Sequence, residues 1–218
     1  DKLNYDLTKY NWPLLILDVI KEKFPQVITL ETIHETVDPS QIAGLCLHVQ
    51  RAFGRKKHMI LLDQFAEECI APKLGRRRYL IKRQPTLNCV IPEQVKHARR
   101  LPFHQGIFYN NGVGMATMWM PLTKAFGTNS MYSASLEDSR NLTKEVIDKK
   151  LNLDEFERKC LQVCSPVEKS PGEVHLFTQE HIHGNVNNET GVTRCAIDWH
   201  VLPEGEEYNG REPGGFFR

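Results

Sequence analysis

From Arg78 to Val201 the chain is cut into short β-rich runs separated by Pro, Gly and Asn. This texture constrains the fold more than any other feature. The runs are Tyr79 to Lys82, Thr86 to Ile91, Gly106 to Asn110, Gly114 to Leu122, Ser130 to Ser135, Val174 to Thr178 and Thr193 to Val201. Runs this short, separated by turn residues, predict a sandwich or small barrel rather than a parallel sheet. One helical interruption is expected, Thr143 to Val163, with Asn152 or Asp154 as its cap. Ahead of the sheet the pattern is helical. Trp12 to Phe24 carries apolar residues at helical spacing behind Asn11, a candidate cap, with Pro13 in the first turn. Asp38-Pro39-Ser40 opens a second helix through Phe53, ended by Gly54, and a third runs from about His58 to Ile70, closed by Pro72 and Gly75. The expected fold class is mainly β with flanking helices packed outside the sheet.

At 218 residues one domain with a full core is the default. It divides into a helical front (1–77), a β core (78–202) with a helical insert (143–165), and a tail (203–218) rich in Gly, Glu and aromatics. Lys plus Arg (28) nearly cancels Asp plus Glu (27), so no global field recruits nucleic acid or an anionic membrane. The basic run Arg76-Arg77-Arg78 with Lys82 and Arg83 reads either as a solvated strand edge or as a place for a phosphate or carboxylate. The six cysteines (46, 69, 89, 160, 164, 195) contain no Cys-x-x-Cys pair and suit reduced thiols. No apolar run reaches the ~18 residues that cross a bilayer. The chain begins at Asp1 rather than Met, so the lack of a leading signal excludes nothing; a soluble, cytoplasmic protein is expected.

Three histidines cluster in His175-Leu-Phe-Thr-Gln-Glu-His181-Ile-His183. On a strand, His181 and His183 would share one face. Eleven residues after His183, beyond a turn carrying Asn187, Asn188 and Gly191, comes Arg194. An arginine beside a metal-binding histidine offers a planar two-pronged donor that suits a carboxylate better than lysine's point charge. Against this stand a packed or surface histidine pair and an arginine paired to a surface acid.

The segment from Gly172 to Arg194, with His183-Gly184-Asn185 followed by Arg194, resembles the carboxy-terminal motif of iron(II)/2-oxoglutarate oxygenases of the phytanoyl-CoA-hydroxylase type, in particular the bacterial branch of sugar and antibiotic gene clusters. The likeness extends through Trp119-Met-Pro-Leu122, Gly127-Thr-Asn-Ser130 and Gln84-Pro-Thr-Leu87, and covers about residues 78 to 202. It implies a double-stranded β-helix, or jelly roll, holding iron(II) and 2-oxoglutarate. His183 is then a metal ligand and Arg194 the anchor for the distal carboxylate of 2-oxoglutarate. Asn185, Trp119 and Gln105 match positions bordering the cosubstrate or the iron, and each also reads as a core or turn residue. His181 is the alternative ligand, but Gly184-Asn185 favours His183.

The resemblance also implies a His-x-Asp or His-x-Glu pair completing two histidines and one carboxylate. The matching triplet here is His104-Gln105-Gly106, and none of the nine histidines has an acid two residues on. The same replacement marks the 2-oxoglutarate-dependent aliphatic halogenases, where the glycine leaves room for a halide. Removing the aspartate takes one charge and one oxygen ligand from the metal, and chloride or bromide restores both. The implied reaction uses iron(II) on His104 and His183, 2-oxoglutarate and O2; a ferryl intermediate abstracts hydrogen from an unactivated carbon, and the radical takes chloride at the position facing Gly106. The expected substrate is a free small molecule. The family's frequent arginine near Asn88 is absent, which implies a reshaped substrate end. Two other readings stand beside the halogenase: a hydroxylase with water at the third position (or an aspartate-to-glycine variant of one), and a jelly-roll binding module with a decayed site.

Overall fold

The computed structural model describes residues 3–73, 78–92, 101–109 and 111–205. A two-residue strand, β1 (Leu3–Asn4), leads to helix α1 (Trp12–Lys21). Asn11 caps it, its side-chain oxygen accepting from Leu14 N at 3.1 Å, and Pro13 occupies the first turn, where no backbone donor is needed. Trp12, Ile16, Val19 and Ile20 form its buried stripe. A short helix, α2 (Ile33–Thr36), precedes α3 (Ile42–Ala52), which is opened by a 3-10 turn, Pro39–Gln41, capped by Asp38. Then comes α4 (Lys56–Phe65), continued by a π-helical turn, Ala66–Ile70, that buries Ala66 and Ile70.

The β region contains β2 (Tyr79–Ile81), β3 (Thr86–Val90), β4 (Ala116–Pro121) and β5 (Tyr132–Ser133). Helices α5 (Leu136–Lys149) and α6 (Leu153–Val163) follow, and then β6 (Ser165–Pro166), β7 (Glu173–Thr178), β8 (His183–Gly184) and β9 (Arg194–Pro203). Among the described residues the strands make a larger antiparallel sheet, β1-β7-β4-β9-β2 with β3 also beside β9, and a smaller one, β6-β5-β8.

Three expectations change. The run from Gly106 is not a strand: Gly106–Tyr109 is a 3-10 turn, because Phe108 N donates to Gln105 O (3.1 Å) and Asn111 N to Gly106 O (3.3 Å), so its backbone is satisfied locally. The run from Ser130 pairs only at Tyr132–Ser133. The insert starts earlier than Thr143 and is two helices. Ser135 caps α5, Lys150 in the left-handed region (φ 51°) ends it, and Asn152 with Glu155 forms the capping box of α6.

Strand β9 separates two compartments by simple alternation. Cys195, Ile197, Trp199 and Val201 face the helical layer, in one core with Trp12, Phe53, Leu62 and Phe65. Ring edges there meet ring faces: Tyr10–Phe65 at 5.1 Å and Trp12–Phe65 at 5.5 Å. Each such buried ring contributes roughly 1.5–3 kcal/mol by area alone. The other face of β9 presents Arg194, Asp198 and His200 to a cavity. Helices α5 and α6 close a separate cluster containing Phe103, Leu142, Cys160 and Ile182.

All six cysteines are free thiols. Cys46, Cys89 and Cys195 form a line through the core, with Sγ–Sγ distances of 3.9 and 3.1 Å. Of the basic run, Arg78 pairs with Glu204 at 3.8 Å and Lys82 turns into the cavity. Arg76, Arg77 and the tail segment 206–218 lie outside the described residues. No helix among the described residues is long and apolar enough to cross a membrane.

Candidate metal and cosubstrate site

His104 and His183 face each other across an isolated antiparallel bridge. His104 N donates to His183 O at 2.9 Å, His183 N donates to His104 O at 3.0 Å, and the ring centroids are 4.3 Å apart. So close an approach requires Gly184: a Cβ there would lie 2.7 Å from Phe103 Cα. Each ring is oriented by its own chain, His104 Nδ1 lying 2.9 Å from Pro102 O and His183 Nδ1 2.9 Å from His181 O. A carbonyl can only accept, so each Nδ1 carries the proton and each Nε2 keeps its lone pair. Metal-binding imidazoles are held in this way. Burial, reinforced by His104, pushes His183 down to about 3, and burial lowers His104 as well. Both rings are therefore neutral at neutral pH.

The bridge is braced from behind. Ser139 Oγ on α5 accepts from Ile182 N at 2.9 Å, and Arg140 grips Glu180 through two bonds of 2.9 and 2.8 Å. Gln105 belongs to this brace rather than to the site. Its Nε2 donates to Glu180 O and its Oε1 accepts from Thr143 Oγ1, so its side chain points away from the cavity. His181 turns back onto β7, its Nδ1 accepting from Thr178 N at 3.2 Å, and His175 stacks on Phe177; neither lines the cavity.

His104 and His183 open onto a cavity of about 600 Å³ that Gly106, Trp119, Asn185 and Arg194 also line. Arg194 is 1% exposed. Its Nε donates to Asn129 O at 3.1 Å, and its guanidinium carbon lies 5.4 Å from the Trp119 ring centroid. With Nε committed, the terminal nitrogens are the part of the guanidinium left for a carboxylate in the cavity. Burial lowers the Arg194 pKa, yet arginine stays charged.

Further along β9, Asp198 accepts from Asn88 Nδ2, and Lys82 Nζ donates to Thr86 Oγ1 at 2.5 Å. Burial raises the Asp198 carboxyl to about 6, against the opposing pull of Arg194 and Lys82. A carboxyl whose folded pKa lies above its unfolded value contributes stability that is complete below about pH 4 and lost as pH rises through about 6. The shift is worth on the order of 2–3 kcal/mol. Asp198→Asn is accordingly expected to melt about 5 °C above the parent chain at pH 8 and level with it below pH 4. Calorimetric scans across that range check the crossover.

Position 106 shows something the sequence did not signal. A Cβ on Gly106 would lie 1.9 Å from Gln179 Oε1. The Gln179 carboxamide is wedged there by Asn111 Nδ2 (2.9 Å) and Thr117 Oγ1 (2.7 Å). Gln179, Asn111, Thr117 and Asp198 all line the cavity. Asp198 was legible, since alternation from Arg194 puts it on the same face; Gln179, beyond the end of β7, was not.

Two neutral imidazoles beside one cavity, each with an Nε2 lone pair left over, suit a borderline divalent metal such as iron(II). Among the described residues no group of three His, Cys, Asp or Glu side chains could hold a metal. Among the described residues, therefore, no acid stands as the third donor.

No family profile and no curated protein matches the sequence. Solved structures do match in three dimensions. EctD from S. alaskensis with bound Fe is 13% identical, with 97% of this chain and 75% of that one covered at a TM-score of 0.54. The non-haem α-ketoglutarate-dependent carbocyclase SnoK from nogalamycin biosynthesis is 16% identical, covering 94% and 90% at 0.51. The nickel complex of ThoJ, a non-haem monooxygenase, is 15% identical, covering 91% and 82% at 0.50. Other matches are longer: the chain spans 32% of EvdMO1 and 61% of AviO1 from Streptomyces viridochromogenes. At these identities the likeness is one of fold: an antiparallel β fold with flanking helices, used by non-haem, α-ketoglutarate-dependent and iron-binding proteins.

Proposed function

We propose that this chain is an iron(II)- and 2-oxoglutarate-dependent oxygenase that acts on a C–H bond of a free small molecule. The observation that carries the reading is the His104–His183 bridge, with both Nδ1 atoms committed to backbone carbonyls and both Nε2 atoms left for a metal. The two sheets are read as the two sides of a double-stranded β-helix, and the fold shared with EctD, SnoK and ThoJ supports this. Iron, 2-oxoglutarate and dioxygen together would supply the oxidising power that no side chain here has.

The chain's own residues bind and orient. His104 and His183 hold the metal, and Arg194 anchors the distal carboxylate of 2-oxoglutarate. Trp119 backs the guanidinium, and Asn185 stands beside it in the wall. Phe177 packs on the His183 ring at 4.7 Å and keeps water from that side. Asp198, Asn88 and Lys82 form a polar end suited to hydroxyl or amine groups of a substrate. A net charge of +1 supports a small-molecule partner over nucleic acid or a membrane.

The group transferred depends on the position facing Gly106. The Gln179 carboxamide in that position supports hydroxylation. Gly106 itself, with no His-x-acid pair elsewhere, favours the second reading, halogenation with chloride or bromide. Aerobic incubation with iron(II), 2-oxoglutarate, chloride and candidate small molecules, followed by mass spectrometry, tests both. Succinate release with products heavier by oxygen is expected. Products heavier by chlorine, and by bromine when bromide is supplied, would establish the second reading. The absence of succinate with and without substrate would remove both.

A further inference from the structure

Gly106 is where main chain and side chain compete for one volume beside the histidines. A Cβ there would meet Gln179 Oε1 at 1.9 Å, Gln179 Cδ at 2.8 Å and Asn111 Nδ2 at 3.2 Å. An aspartate carboxyl reaches out from its Cβ by a C–C bond of about 1.5 Å and a C–O bond of about 1.2 Å. The Gln179 oxygen therefore lies inside the volume that a carboxylate at position 106 would sweep.

This oxygen is held in place. Gln179 is 2% exposed; its Oε1 accepts from Asn111 Nδ2, its Nε2 donates to Thr117 Oγ1, and its main-chain carbonyl accepts from Ile107 N at 3.3 Å. One bond from Asn111 leaves a second lone pair on Oε1. An independent observation points to a ligand at this spot: Asn111 is 9% exposed and lines the cavity, and its Oδ1 is buried with no partner among the described residues. A buried acceptor left bare costs about 1–3 kcal/mol, a cost that a donor such as a metal-bound water removes.

Building on the iron-site reading above, we propose that Gln179, in the turn beyond β7, supplies the oxygen that a glycine at 106 cannot supply. The third protein position at the metal is then a neutral carboxamide, positioned by Asn111 and Thr117, which a halide must displace. The glycine has its own reason: any side chain at 106 would expel Gln179. A neutral donor leaves the metal one negative charge short of the carboxylate arrangement. Gln179→Glu, nearly the same shape, therefore restores that charge.

The test is anaerobic calorimetric titration of iron(II) into the metal-free full chain. The same titration with cobalt(II) is followed by visible absorption, which reports the ligand set without turnover. Gln179→Glu is expected to bind about tenfold or more tightly than the parent, and Gln179→Ala about tenfold or more weakly. Added chloride should shift the cobalt spectrum of Gln179→Ala and recover its affinity, leaving the parent spectrum unchanged. If both Gln179 variants match the parent in affinity and spectrum while His183→Ala loses the metal, the Gln179 proposal is wrong and the iron site stands. If His183→Ala binds like the parent, or the parent binds no metal, the iron site itself is wrong and the role of Gln179 falls with it.

Discussion

A His183→Ala chain should bind iron(II) about 100-fold or more weakly than the parent, and His104→Ala should do the same. The size of the effect follows from the donor set. Among the described residues no third His, Cys, Asp or Glu side chain groups with the two imidazoles, so removing either leaves a single imidazole. Sites that also carry a carboxylate lose less when one histidine is cut, because charge still retains the metal. Among the described residues no such reserve exists. A third substitution separates metal loss from misfolding: His181→Ala removes a ring two residues away that faces Thr178 rather than the cavity, and should leave affinity within about threefold. Anaerobic titration calorimetry on the three variants is the measurement. Equal losses in all three would indicate a damaged β7–β8 connection rather than a ligand set.

The second large effect belongs to Arg194. Arg194→Ala should weaken 2-oxoglutarate binding to the metal-loaded chain by about 100-fold or more, since each charged hydrogen bond lost costs about 1.5–3 kcal/mol. Arg194→Lys should recover part of this, about tenfold, because lysine keeps the charge and loses the planar fork. The alanine variant also leaves Asp198 with Lys82 as its remaining cationic neighbour in a buried wall, so it should melt below the parent. Pairing it with Asp198→Asn should restore the melting temperature but not the 2-oxoglutarate affinity. That pattern distinguishes a ligand-binding arginine from one whose role is to neutralise an acid. Full affinity in Arg194→Ala would end the anchoring assignment.

Features governed by local rules could be read from the residues alone. The cap at Asn11, the capping box at Asn152 and Glu155, and the alternation along β9 depend on neighbours within a turn or on the period of a strand. His104, His183, Arg194, Trp119 and Asn185 do meet at one cavity, and the family resemblance of their segments had indicated them. Contacts between distant segments could not be read. The Gly106–Tyr109 run has strand composition and folds as a 3-10 turn because no neighbouring strand pairs with it along its length. Gln105 has the position of a site residue and the contacts of a brace, since Glu180 and Thr143 claim both ends of its amide. Gln179 has no motif at all; its significance appears only once the turn beyond β7 lies against residue 106.

Strand β9 also sets how the molecule can change. Every second side chain, Cys195, Ile197, Trp199 and Val201, is fixed by the helical core, while Arg194, Asp198 and His200 on the other face furnish the cavity wall. New substrates must therefore be sought by changing residues 198 and 200 singly or together, with their neighbours kept. A one-residue insertion or deletion inside the strand would send Arg194 or Asp198 into the aromatic core. Variation in length is confined to the turn at 185–193, where extra residues leave the alternation intact. The strand that carries the cosubstrate anchor can thus diversify by substitution but not by changes in length.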